Sequence, residues 1–257
     1  MNPNSVKSLN YLLPLLLVVC LLGASGTAGA ETAPEQLSDP LTTAYQVWIT
    51  ALEGDGNDSR WEFPFDAPRP DDLTTPEMKT VLSLRRLAQS RDSQQLASLV
   101  EIVSRRQEEM PVQMRFWLAY AQGTLHRIEE SQANLQILLL VPKAPDHLET
   151  GQKAWVLTAF ADYSFLMKRR ETAARLYRLL AASSVEQVNL WGQYQLAGME
   201  FIKRNFTDAN RRYKVVCESE KSGTWREHAC AMAEIAGRLN SFDRKGEANG
   251  HVAVVSP

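Results

Sequence analysis

Residues 130–140 (ESQANLQILLL), 170–180 (RETAARLYRLL) and 206–216 (FTDANRRYKVV) decide how this chain is read. Laid over one another, they put Ala133, Ala173 and Ala209 in one column and Ile137, Tyr177 and Tyr213 in the column four later. Twelve residues upstream of each alanine lies another small residue, Ala121, Ala161 and Ala197. The register steps are 40 and 36 residues, and the longer step contains Val141-Pro142-Lys143-Ala144-Pro145. Ala97 precedes Ala133 by 36 residues and Ala233 follows Ala197 by 36, extending the pattern in both directions. Small side chains recurring at such a period let paired helices approach closely, and neighbouring pairs then bury a continuous core.

Working outward, the apolar spacing is helical nearly everywhere. Val81, Leu84, Leu87 and Ala88, and likewise Leu96, Leu99, Val100 and Val103, step by three and four residues. Thr75-Pro76 reads as an N-cap with proline at the first helical position, and Asp92–Gln95 and Asp146–Glu149 as looser capping boxes. No segment alternates with β-branched enrichment, so the expected class is all-α. A first helix is expected near 40–52, followed by a loop over 53–74 rich in Gly, Asp and Pro; residues 240–257 read as a polar, disordered tail. Asp55, Asn57 and Ser59 imitate the start of a calcium loop, but Arg60 and Asp66 stand where such a loop needs Gly and Glu.

Composition excludes several classes. The 257 residues are 44% apolar and 23% charged, with net charge −2, so there is core enough to fold and no surplus of positive charge to draw nucleic acid. Three cysteines are too few for a disulfide-framework miniprotein or a four-thiolate zinc site. Four histidines (126, 147, 228 and 251) stand at no ligand or triad spacing, and no His-Glu-x-x-His, Gly-x-Ser-x-Gly or phosphate-cradling glycine loop is present. No cofactor, metal or catalytic group is therefore expected.

Residues 1–30 carry Lys7, an apolar run from Tyr11 to Leu22, and Ala28-Gly29-Ala30, the small-x-small pattern of a signal peptidase site. The run is shorter than the ~20 residues that span a bilayer, so it reads as a secretory leader cleaved after Ala30. Val19 is too bulky for the position before a lipidated cysteine, which argues against Cys20 as a lipid anchor. An exported chain then keeps Cys217 and Cys230 in an oxidising compartment. They stand six and seven residues from the turn at Gly223-Thr224, where Thr224–Glu227 reads as a capping box, so an antiparallel helix pair would set them opposite each other as a disulfide. A metal site from Cys217, His228 and Cys230 is the weaker alternative.

The pattern resembles the tetratricopeptide repeat family. Trp117, Tyr120, Ala121, Ala133 and Pro145 match a first unit; Phe160, Ala161, Ala173 and Tyr177 a second; Leu196, Ala197, Phe206, Ala209 and Tyr213 a third. The resemblance covers about 114–239, with a degenerate hairpin over 75–110 that carries Arg85 and Glu101 in core columns. It implies a right-handed solenoid of three to four antiparallel hairpins whose first helices line a groove for a protein partner. The groove positions so implied are Arg115, Leu118, Gln122 and Leu125; Trp155, Thr158, Asp162 and Phe165; and Trp191, Tyr194, Gly198 and Phe201. The partner site expected is Trp155, Asp162, Phe165, Trp191, Tyr194 and Phe201, an aromatic trough suited to extended or proline-rich peptide. The same rings would equally serve as packing between helices or against a docked N-terminal helix. The expected function is an exported adaptor holding a protein partner in a bacterial envelope assembly or secretion system, with no nucleic acid and no integral membrane span after leader cleavage. One alternative is a cell-wall enzyme or its helical subunit, on Glu130-Ser131 or Glu218-Ser219; a self-associating scaffold is the other.

Overall fold

A computed structural model describes residues 39–56, 73–90, 92–105, 110–220 and 225–250, with 243–250 as backbone only. Among the described residues the chain is all-α, without a strand. The helices are α1 (Asp39–Gly54), α2 (Thr75–Ser90), α3 (Ser93–Ser104), α4 (Val112–Thr124), α5 (Ile128–Leu140), α6 (Thr150–Leu166), α7 (Arg170–Ala181), α8 (Glu186–Ile202), α9 (Phe206–Glu218) and α10 (Arg226–Gly250). The proline-rich insert between α5 and α6 folds into a 3-10 turn, Ala144–His147, with Ala144 and Pro145 buried. The expected leader over 1–30, most of the loop over 53–74, and Gly223 and Thr224 of the expected turn lie outside the described residues.

Helix starts follow the side chains that can satisfy free N–H groups. Asp92 caps α3, accepting from the Gln95 N–H at 3.0 Å, as its sequence suggests. At α2 the cap falls one residue earlier than expected: the Thr74 N–H and hydroxyl both donate to the Glu77 carboxylate, and Pro76 stands second in the helix. At α6 the capping box is Glu149–Gln152, three residues later than Asp146–Glu149. Glu149 precedes the helix, its N–H donating to Gln152 Oε1 at 3.1 Å, because the 3-10 turn uses up Asp146 and His147. The stretch expected as a tail from 240 instead continues α10 to Gly250. Residues 240–248 include Arg, Lys, Glu and Ala, which have good intrinsic helix propensity.

The hairpins α4–α5, α6–α7 and α8–α9 share one turn. In each, a non-glycine residue takes the left-handed conformation: His126, Lys168 and Arg204, with φ of 59°, 65° and 63°. The following N–H donates five residues back, Arg127 to Gln122, Arg169 to Ser164 and Asn205 to Glu200, each at 2.9 Å. This is the Schellman closure, in which glycine is the usual occupant. Two of the occupants, Lys168 and Arg204, are cations, and a cation there faces the negative end of a helix dipole.

Those turns correct the register of the first hairpin. They are 42 and 36 residues apart, not 40 and 36. Five residues after each lie buried Ser131, Ala173 and Ala209, and nine after lie Leu135, Tyr177 and Tyr213. Ala133 is exposed and Ile137 is 43% exposed, so both leave the columns expected for them. The matching upstream residues are Ala119, Ala161 and Ala197, all fully buried. The physical reason is a buried polar ladder. Arg115 donates to Asn134 Oδ1 at 3.0 Å, Asn134 donates to Gln122 at 2.9 Å, and the Ser131 hydroxyl donates to the Ala119 carbonyl at 2.7 Å. With those groups mutually satisfied, α5 turns a polar edge inward, which an apolar count alone would place outside.

Helix α1 belongs to the core. Leu41, Tyr45, Trp48, Ile49 and Leu52 are buried, and the helix packs on α5, α6 and the 3-10 turn. The Tyr45 hydroxyl donates to the Leu157 carbonyl at 2.7 Å. At the other end Asp55 accepts from Lys153 Nζ at 2.7 Å and from the Thr150 hydroxyl at 2.8 Å, while Glu53 accepts from the Ser183 hydroxyl and the Ser184 N–H. At the C-terminal end the sulfurs of Cys217 and Cys230 lie 1.97 Å apart, at disulfide distance, with Cα atoms 4.7 Å apart.

Among the described glycines, Gly192 on α8 meets neighbouring backbone most tightly. A Cβ there would stand 2.4 Å from the Ala181 nitrogen and 2.7 Å from the Tyr177 carbonyl oxygen, both backbone atoms. Gly192→Ala should therefore lower the unfolding free energy by about 2 kcal/mol, since overpacking outweighs the helix propensity gained. Gly198→Ala on the same helix, whose Cβ would meet only the Tyr213 hydroxyl at 3.5 Å, should be neutral or stabilising by up to about 1 kcal/mol. Urea denaturation of the two variants checks the opposite signs.

Candidate partner-binding site

The six residues expected to line a trough fall into separate environments. Trp155 on α6 is half-buried and meets Phe116 edge-to-face at 5.5 Å and Tyr120 at 5.0 Å, both on α4. With Trp117 packed edge-to-face on Phe116, these rings form one cluster across the first two hairpins. Sequence reasoning missed Phe116 and Tyr120 because of the two-residue register slip. Counted from the turns, the partners of Trp155, Thr158, Asp162 and Phe165 in the first hairpin are Gln113, Phe116, Tyr120 and Gly123. The positions first implied, Arg115, Leu118 and Gln122, are buried, and Leu125 is half-buried.

Trp191 and Tyr194 on α8 are core residues, 4% and 9% exposed. They stack at 5.7 Å and both meet Trp225 edge-to-face, at 5.3 and 5.8 Å. Tyr213 closes the cluster at 5.8 Å from Tyr194. The Tyr194 hydroxyl and His228 Nδ1 share a 2.6 Å hydrogen bond, and burial lowers the His228 pKa, favouring the neutral ring. Trp225, just ahead of α10, covers these rings. Its contribution was hidden from a hairpin-by-hairpin reading because it comes from the neighbouring helix. Phe201 is half-buried against Phe206 at 5.3 Å.

Asp162 is a junction. Its Oδ1 accepts from the Tyr177 hydroxyl at 2.8 Å and from Trp191 Nε1 at 3.2 Å, joining α6, α7 and α8. Burial pushes its carboxyl up to about 7, against the two donated hydrogen bonds that pull it down. The same charge helps raise the Tyr45 and Tyr177 hydroxyls, behind burial as the larger cause.

Phe165 lies elsewhere, on the floor of a half-open cleft of about 350 Å³ between α6, α7 and α8. Met199 and Ile202 complete that floor, and Ile202 is 45% exposed. Around the rim stand Arg170, Arg175, Arg178 and Lys203, with Glu171 as the one carboxylate. Only the fold shows that the arginines gather around apolar side chains from two other helices.

Glu130 and Glu218, weighed as acids for a cell-wall enzyme, are exposed on α5 and at the end of α9; Glu130 accepts from Gln122 Nε2 at 3.1 Å. Among the described residues no three His, Cys, Asp or Glu side chains gather as a metal site, and no helix is long and apolar enough to cross a membrane. Comparison with protein-family models, with curated proteins and with solved structures finds no match for the chain.

Two outcomes follow from this geometry. Trp191→Ala should cost about 3–5 kcal/mol of stability, the usual loss for a buried large aromatic, whereas Trp155→Ala should cost clearly less because that ring is half-exposed; thermal melts compare them. For Asp162, the folded carboxyl holds its proton to about 7 while the unfolded one ionises near pH 4, so its contribution to stability is full below pH 4 and falls as pH rises to about 7. Asp162→Asn keeps an acceptor and cannot ionise. It should flatten that part of the stability–pH curve and gain about 1 kcal/mol or more over the parent at pH 8, read by urea midpoints across pH.

Proposed function

We propose that the chain is an exported, disulfide-stapled adaptor, a tetratricopeptide-like solenoid of helix hairpins that holds a protein partner in a bacterial cell-envelope assembly or secretion system. The observation that supports it is the recurrence of one hairpin turn at His126, Lys168 and Arg204. Each turn has a buried small residue seven before it and another five after it, at Ala119 and Ser131, Ala161 and Ala173, and Ala197 and Ala209. Similar hairpins stacked through small residues would build an extended face, the usual service of which is to hold another chain. The leader-like residues 1–30 and the Cys217–Cys230 pair at disulfide distance support export to an oxidising compartment.

The partner face runs from the half-buried Trp155–Tyr120 cluster to the cleft at Phe165. Trp191 and Tyr194 serve it from beneath, by holding α8 on α9 and α10. A photo-crosslinking side chain placed in living cells at Trp155, and separately at Ile202, tests the reading. One envelope protein, captured at either position and identified by mass spectrometry, is the expected result. Adducts of the chain with itself alone would replace the adaptor by a self-associating scaffold, and no adduct at either position would overturn both.

A further inference from the structure

We propose that the cleft between α6, α7 and α8 is a docking pocket for an acidic segment of a partner protein, one large apolar side chain of that segment entering between carboxylates that pair with the rim. This deepens the adaptor reading and rests on it.

The argument is charge complementarity around an apolar floor. Phe165, Met199 and Ile202 come from the ends of α6 and α8, and they converge because the turn at Lys168 folds α7 back alongside α8. Helix α7 is strongly two-sided. It buries Ala173, Leu176, Tyr177 and Leu180 and leaves Arg170, Arg175 and Arg178 outside. None of these three arginines has an ion pair among the described residues, and Lys203 has only Glu200, 3.6 Å away. Elsewhere some exposed basic residues find carboxylates, as Arg211 reaches Asp208 at 2.7 Å, and others such as Lys79, Arg86 and Lys214 stand without an ion pair among the described residues, so what marks the rim is that three such arginines gather in one place. The rim therefore gathers unneutralised guanidinium groups, whose planar forks suit bidentate carboxylates, where side chains from other helices leave apolar surface uncovered.

Size and charge select the occupant. A cleft of about 350 Å³ accommodates one large side chain and the backbone beside it. Glu171 on the rim and the net charge of −2 disfavour a long polyanion such as nucleic acid, while leaving room for a short acidic peptide. The cleft has no long apolar channel to take a lipid chain; its apolar lining is four side chains, Phe165, Ala174, Met199 and Ile202.

The test is fluorescence anisotropy of the full chain with a labelled synthetic hexapeptide, Asp-Glu-Phe-Glu-Asp-Glu, at low ionic strength. Binding should weaken about tenfold or more in the Arg175→Glu/Arg178→Glu double variant, and also when the peptide's Phe is replaced by Ser. Arg238→Glu on α10, whose partner is Glu234, should leave it unchanged. The substituted residues are exposed, so circular dichroism and melting should match the parent. Absent binding, or binding indifferent to Arg175 and Arg178 or to the Phe, overturns the pocket. Phosphatidylglycerol vesicles bound through the same arginines, with no peptide binding, would overturn it in favour of a membrane contact. Crosslinking at Trp155 reads the adaptor independently: a captured partner with no peptide binding would leave the adaptor standing and remove only this pocket.

Discussion

Everything in the molecule depends on how closely its helices can approach. At Gly192 the backbones of α7 and α8 come within a distance that no side chain but hydrogen allows. Ala119, Ala161 and Ala197 do related work in the first helix of each hairpin, and Ser131, Ala173 and Ala209 in the second. Because backbones meet there, large side chains pack above and below the crossings rather than between them. Trp117, Phe116, Tyr177, Tyr213 and Trp225 are all nearly inaccessible.

Helix α1 is the second constraint. It supplies Tyr45, Trp48 and Leu52 to the core beside the second hairpin, and its last turn is tied by Asp55 to Lys153 and by Glu53 to the Ser183–Ser184 connection. Lys153 is buried, so its pairing with Asp55 matters more through the penalty of losing one partner than through any net gain. Asp162 plays the same part for α6, α7 and α8, holding a phenol and an indole on one oxygen. These polar ties fix the orientation of neighbouring hairpins, whereas the apolar contacts would tolerate sliding. The proposed partner binding rests on half-buried Trp155 and on the arginine-rimmed cleft.

Much of the helical content was legible because helices announce themselves locally. Periodicity at three and four residues, Asp92 as a cap, and the pairing of Cys217 with Cys230 are properties of short stretches, and the structure agrees with each. The first hairpin was misread by two residues because its inward edge is polar. Asn134, Ser131 and Arg115 satisfy one another, and that satisfaction is a matter of three-dimensional arrangement. The turns at His126, Lys168 and Arg204 were hidden for a related reason. Sequence reasoning looks for glycine in a left-handed position, and here tertiary packing holds other residues there.

The amino-acid sequence by itself determined the all-α class, the hairpin order and the cysteine pairing, since periodicity, caps and spacing act within one or two turns of chain. Only the tertiary structure decided which aromatics are surface and which are core. Trp155 and Trp191 hold the same position in successive hairpins, yet one edges onto solvent and the other lies under Trp225. It likewise decided that the arginines of α7 surround apolar side chains of α6 and α8. Burial is a property of the whole set of neighbours, and those neighbours come from helices distant in the chain.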